Sequence, residues 1–123
     1  MGPEVLIVAG EASADEHASR VLEALRSLVP GVRAFGVGGP KLRAAGLEVL
    51  FPAEDISVMG FTEVLPKLPR ILGIMRGLAQ AAEARRPRVA LLVDLPDFNL
   101  RLAARLKRLG VRVVYYISPM IWA

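Results

Sequence analysis

Two short segments of this chain put carboxylates where an α/β protein could use them. The first, Gly10-Glu11-Ala12-Ser13-Ala14-Asp15, follows an apolar run and joins small side chains to two acids and the start of a helical pattern. Small residues let a ligand approach the backbone, and the free N–H groups of a helix start suit an anion or a sugar hydroxyl. The second, Asp94-Leu95-Pro96-Asp97-Phe98-Asn99, holds two carboxylates three residues apart beside a stiffening proline. Neighbouring carboxylates push one pKa upward, and a carboxylate so shifted is suited to taking a proton from a hydroxyl. Each segment also has a structural reading. Ser13 and Glu16 have the spacing of a capping box, and Asp97 could cap the helix that follows it; spacing does not separate these from the chemical readings.

Other groups are poorer candidates. Gly36, Gly38 and Gly39 before Pro40 look like a phosphate loop, but the chain has neither the Walker lysine motif nor G-x-G-x-x-G after its first strand. His17 is the single histidine and is read as a surface residue of the first helix. With no cysteine, the chain has no disulfide, thiolate zinc site or thiol nucleophile, and a metal site at His17 would lack partners.

The elements that must hold these segments follow from hydrophobic periodicity. Val5 to Ala9 is a continuous apolar run, as in a strand covered on both faces. A helix of about 15 residues follows, with Val21, Leu22, Leu25 and Leu28 as its apolar stripe and Pro30-Gly31 as its stop. Arg33 to Val37 reads as a second strand, Lys41 to Ala45 as a short helix, and Glu48 to Phe51 as a third strand. Ile71, Met75, Leu78 and Ala82 mark a helix that Pro87 ends. Val89 to Val93 is a fourth strand, a helix carrying Leu102, Leu106 and Leu109 comes next, and Val111 to Ile117 is a fifth strand. This alternation predicts a doubly wound, mainly parallel five-stranded α/β sheet in the order 3-2-1-4-5, a Rossmann-like domain. Ligands of such sheets sit outside the carboxyl ends of the strands where the order reverses, here the loops after strands one and four.

Length and composition bound the rest. At 123 residues and 54% apolar, the chain has material for one globular core. Its apolar runs are strand-sized and no basic region precedes Val5, so the reading is of a chain that stays inside the cell, without signal peptide or spanning helix. Residues 67 to 112 hold 11 of the 16 Lys and Arg against three acids, Glu83, Asp94 and Asp97. Such a field draws phosphates of any origin. The stretch from Ile56 to Leu72 is irregular: Pro66 and Pro69 argue against a helix, while Val58, Met59, Phe61, Val64, Leu65 and Leu68 crowd together beside Lys67 and Arg70. It reads either as a surface for acyl chains or a membrane, or as a core-facing lid. The final Ser118-Pro119-Met120-Ile121-Trp122-Ala123 is an apolar loop that reads as the start of something cut away. Aromatic content of 6% and the lack of a recognition motif argue against a nucleic-acid partner. A receiver domain is disfavoured because the third strand runs into Phe51-Pro52, where a phosphoacceptor aspartate would stand. A stand-alone flavodoxin-like module for a small ligand remains the alternative on fold alone.

Five blocks, in order and spanning the chain, carry a resemblance: Ala9-Gly10-Glu11-Ala12-Ser13, Gly36-Val37-Gly38-Gly39-Pro40, Ser57-Val58-Met59-Gly60, Pro96-Asp97-Phe98-Asn99, and Ser118-Pro119 with Trp122-Ala123. Together they resemble the lipid-A-disaccharide synthases. One departure is visible, Ala14 where the family usually has glycine, with Asp15 kept. The resemblance implies the acceptor-side domain of a two-domain, inverting GT-B glycosyltransferase of lipid A biosynthesis, working without metal or cofactor. That enzyme joins UDP-2,3-diacylglucosamine to 2,3-diacylglucosamine 1-phosphate, making the β-1,6-linked disaccharide and releasing UDP. It further implies Asp97 as base for the acceptor's 6-hydroxyl, Glu11 as a second site carboxylate, and Ser13, Asp94, Asn99, Gly38 and Gly39 along the cleft. The UDP-sugar donor would be held by a carboxy-terminal domain absent from this chain, which alone is expected to be inactive. The apolar stretch would rest on the cytoplasmic face of the inner membrane.

Overall fold

Glu4–Ala9 is apolar from Val5 onward, so no face of it can meet water, and it becomes the central strand. A computed structural model describes residues 2–57 and 61–117, with the backbone alone for residues 61–64. In chain order the elements are β1 (Glu4–Ala9), α1 (Ala12–Leu28), β2 (Arg33–Gly38), α2 (Pro40–Ala44), β3 (Leu47–Pro52), a 3₁₀ turn (Ala53–Asp55), α3 (Phe61–Arg85), β4 (Val89–Val93), α4 (Pro96–Arg108) and β5 (Arg112–Tyr116). Every strand pairing is parallel and the order is β3-β2-β1-β4-β5, as the alternation predicts.

The period of two along each strand divides the core into two layers. Val5, Ile7 and Ala9 face Ala14, Ala18 and Leu22 of α1 and Leu42 of α2. Leu6 and Val8 face Ile74, Met75, Leu78 and Ala82 of α3 and Phe98, Leu102 and Leu106 of α4. Helices thus cover both faces, the doubly wound arrangement. Each fully buried leucine contributes about 1.5–3 kcal/mol relative to exposure.

Two helices differ from expectation. On α1 the large side chains are a poor guide: Leu22 is buried, but Leu28 is 79% exposed and Val21 also faces solvent. The buried face is Ala14, Ala18 and Leu22, at i, i+4 and i+8, because alanines let the helix lie close against the sheet. The capping box does not form. Glu11 is the N-cap with extended backbone and no side-chain cap bond, so Ser13 lies within the helix and is exposed. Glu16 instead reaches Lys41 at 3.4 Å and Arg20 at 3.3 Å, and the Lys41 hydrogen bond, followed by its charge, holds the Glu16 carboxyl below its usual range.

The second difference is α3, one helix of 25 residues that contains Pro66 and Pro69. An interior proline removes one i→i−4 bond and crowds the preceding turn. Residues 65–70 are exposed, so water can meet the Leu65 carbonyl that Pro69 leaves without a donor, while Ile74, Met75, Leu78 and Ala82 anchor the later turns to the sheet. Gly73 lies between these halves, and a Cβ built there meets nothing within 4 Å. Gly73→Ala is therefore expected to raise stability by about 0.5–1 kcal/mol, measured by urea unfolding. A loss of stability would mean that this position needs the freedom of glycine.

Candidate functional site

β1 and β4 are paired in register from Val5↔Val89 to Ala9↔Val93, so the segments after Ala9 and Val93 leave the sheet side by side. Here the strand order reverses, with β2 on the other side of β1. The two segments also touch: a Cβ at Gly10 would lie 3.0 Å from Leu95 Cδ2, so glycine is what lets the Leu95 side chain settle across the start of the first loop.

The turn after β4 is strained. Asp94 and Leu95 both have left-handed backbones, φ 51° and 50°, which side-chain-bearing residues adopt at a cost of about 1–3 kcal/mol each. Asn99 holds it from beneath. Its Nδ2 donates to the Val93 carbonyl at 3.2 Å and the Asp94 carbonyl at 2.9 Å, and the residue is 0% exposed. The structure thus places Asn99 under the turn, and its Oδ1 has no partner among the described residues. Asp94 donates its amide to the Tyr116 carbonyl at 2.8 Å, and burial, with the charge of Asp94 adding to it, raises the Tyr115 phenol above its usual range.

Asp97 is not the helix cap. The N-cap of α4 is Leu95, without a side-chain cap bond, and Asp97 is the second residue of the helix, exposed, with no hydrogen bond or ion pair among the described residues. Glu11, on the paired segment, is likewise exposed and its carboxylate is likewise unpartnered.

Asp15 behaves in the opposite way, and its role is the one sequence reasoning missed. It is 3% exposed. Its Oδ1 accepts from the amides of Gly39 at 2.8 Å and Leu42 at 3.1 Å, and Oδ2 from Lys41 at 2.9 Å. Pro40 has no N–H, so one carboxylate from α1 serves the first amides of α2. A Cβ at Gly39 would come within 2.9 Å of Asp15 Oδ2, which explains that glycine by packing. The available signal was the lack of a side-chain cap before Pro40, which leaves the first amides of α2 to an acceptor from elsewhere in the chain.

Around this clasp opens a cleft of about 900 Å³, lined by Gly10, Glu11, Gly38 and Gly39 at the sheet end, Lys41 and Arg43 of α2, Glu54 of the 3₁₀ turn, and Lys67 of α3. Glu11, Gly38 and Gly39 are thus brought together, while Asp94, Asp97 and Asn99 are not part of its lining. Ser13 is exposed on the first turn of α1. His17 is half-buried, its ring 5.8 Å from that of Tyr116. Among the described residues no cluster of three or more His, Asp or Glu is placed to hold a metal ion, and no helix is long and apolar enough to cross a membrane. Leu65 and Leu68 are exposed on α3; Val58 and Met59, the side chains of Phe61 and Val64, and residues 118–123 lie outside the described residues.

Comparison with known proteins agrees with the sequence blocks. In structure, the chain is similar to the C-terminal domain of a hydrogenase from Pyrococcus furiosus, with a TM-score of 0.67 over 94% of this chain and 91% of that one, at 13% identity, a likeness of fold alone. In sequence, it is 73% identical over 120 residues to a lipid-A-disaccharide synthase of Anaeromyxobacter sp. (strain K), 61% identical to one of Myxococcus xanthus and 49% identical to one of Nitrosococcus oceani. Each match covers 98% of this chain, which spans about a third of the length of these relatives (31%, 32% and 31%). The family model described as lipid-A-disaccharide synthetase matches residues 5–123, and the chain belongs to that family.

Proposed function

We propose that this chain forms the acceptor side of a glycosyl-transfer site that joins UDP-2,3-diacylglucosamine to 2,3-diacylglucosamine 1-phosphate and releases UDP. The observation that carries the reading is the pair Glu11 and Asp97. Both carboxylates stand at helix starts on adjacent strand ends at the point of reversal, exposed and without a structural partner among the described residues. A carboxylate without a hydrogen-bond or ion-pair partner that sits where such sheets bind ligands is available for chemistry. Asp97 takes the proton from the acceptor's 6-hydroxyl as that oxygen bonds to the donor's anomeric carbon, and the diphosphate leaves from the opposite face. Glu11 orients the acceptor's hydroxyls, and Ser13 and Asp94 border its path. Asn99 acts by holding the turn that carries Asp94, and the Gly38-Gly39 turn through the shape it gives the cleft. The UDP-sugar is held by the part of the relatives that extends beyond this chain.

On α3, Leu65, Leu68 and Leu72 are exposed at i, i+3 and i+7, one helix face, with Lys67 and Arg70 beside them. Leu65 is 65% exposed. Apolar side chains on one face flanked by cations suit contact with acyl chains and anionic headgroups, and this supports a peripheral position on the cytoplasmic face of the inner membrane.

The test is titration of the isotope-labelled chain with 2,3-diacylglucosamine 1-phosphate below its micelle threshold, followed by backbone amide NMR, with UDP in parallel. Shifts are expected at Glu11, Asp97 and the exposed turns of α3 with the lipid, and none of comparable size with UDP. A spectrum that ignores the lipid and responds to UDP would replace this reading with that of a small-ligand module.

A further inference from the structure

Four carboxylates and three cations line the cleft, and three of these seven are already engaged. Asp15 is satisfied by three backbone amides. Glu16 is paired with Lys41 and Arg20. The Gly38-Gly39-Pro40 turn offers no free cradle for an anion, because the amides of Gly39, Lys41 and Leu42 all point at Asp15. Arg70, one turn from Lys67 on α3, is tied to Asp55 of the 3₁₀ turn, and that hydrogen bond and its charge raise the guanidinium above its usual range. Four charges in the lining remain without a partner among the described residues: Glu11 and Glu54, and Arg43 and Lys67.

We infer that Arg43 and Lys67 form a phosphate subsite of this cleft, gripping a phosphomonoester from its two walls, α2 and α3, while Glu11 faces the hydroxyl-bearing end of the same ligand. Resting on the acceptor reading above, this assigns the sugar's 1-phosphate to two side chains rather than to the glycine turn. The charge pattern fits such a ligand. Two free cations suit a dianion, and a guanidinium presents it with a planar set of donors. Two free carboxylates in the same cleft oppose a bare polyanion and accept from hydroxyl or amide N–H groups, so a sugar phosphate matches both ends. Lys67 also stands between Leu65 and Leu68 in sequence, so a ligand gripped there has its acyl chains beside the exposed apolar face of α3. The same grip could take the phosphate of a bilayer lipid, and the experiment separates the two sources.

The probes are glucosamine 1-phosphate, glucosamine without the phosphate, and phosphatidylcholine vesicles containing phosphatidylglycerol, each titrated into the whole chain and its variants Arg43→Gln, Lys67→Gln and Arg101→Gln. Arg101 lies on α4, away from the cleft lining, so its variant makes the same change in net charge elsewhere. The expected result is that Arg43→Gln and Lys67→Gln each weaken glucosamine 1-phosphate about tenfold, with Arg101→Gln and the binding of glucosamine unchanged. Equal weakening by all three variants would mean a diffuse field and would overturn the subsite. If glucosamine 1-phosphate is ignored while vesicle binding falls only in Arg43→Gln and Lys67→Gln, the phosphate subsite stands with a lipid headgroup as its ligand, and the acceptor reading fails separately. Binding that responds to neither cleft variant, with sugar or vesicle, overturns the proposal.

Discussion

Asp97→Asn is expected to lower the rate of glycosyl transfer by about a hundred- to ten-thousand-fold, the range a positioned general base contributes. The measurement is best made in a chimera in which this chain replaces the matching segment of the Anaeromyxobacter relative, since the chain spans 31% of that protein. Asparagine keeps the shape of the side chain and removes only its capacity to take a proton. Asp97 is exposed and makes no hydrogen bond or ion pair among the described residues, so the thermal unfolding midpoint should fall only by the small amount that removing a negative charge from the first turn of α4 costs. The loss should fall on kcat, with the acceptor's KM little altered, because a base acts in the transition state and not in ground-state binding. Glu11→Gln, removing a carboxylate that orients hydroxyls, should instead raise KM. Near-normal turnover in Asp97→Asn would exclude it as the base.

The second large effect concerns stability. Asp15→Ala would leave the amides of Gly39, Lys41 and Leu42 without their acceptor, at 3% exposure of the lost side chain. An unsatisfied buried donor costs about 1–3 kcal/mol, so the total is expected to be about 3 kcal/mol or more, read as a fall of about 10 °C or more in the unfolding midpoint. Asp15→Asn retains one carbonyl oxygen and should lose less. Because α2 carries Lys41 and Arg43 into the cleft, Asp15→Ala should also weaken acceptor binding at temperatures where the protein is still folded. A destabilisation below about 1 kcal/mol would mean that water enters the turn and serves these amides.

The contrast among the acids shows how much of the site is legible in a sequence. Glu11, Asp15, Asp94 and Asp97 are all acids in loops or first helical turns after strands, and spacing treats them alike. In the structure Asp15 is a structural clasp, Asp94 is held in a left-handed turn, and Glu11 and Asp97 stand free of partners among the described residues. Asn99 shares a motif with Asp97 but lies wholly buried two residues away, because successive helical positions point in different directions and Asn99 falls on the face turned to the sheet. The helical continuity of α3 through two prolines was also hidden, since propensity rules weigh the lost hydrogen bonds and not the packing of Ile74, Met75 and Leu78 further along.

By itself the amino-acid sequence determined the five strands, their alternation with helices and the strand order, because runs of buried residues at periods of 2 and 3.6 record which face of a segment must leave water, and short connections leave few ways to assemble them. It also carried the family, through five blocks spread in order along the chain. Only the tertiary structure decided which carboxylates are free. The partners of Asp15 lie 24, 26 and 27 residues away along the chain, and a local pattern reports that a residue is polar but not which distant amides the fold will bring to it. Arg43 and Lys67 likewise come to one cleft from helices separated by β3, an arrangement that exists only once the sheet has wound α2 and α3 onto its opposite faces.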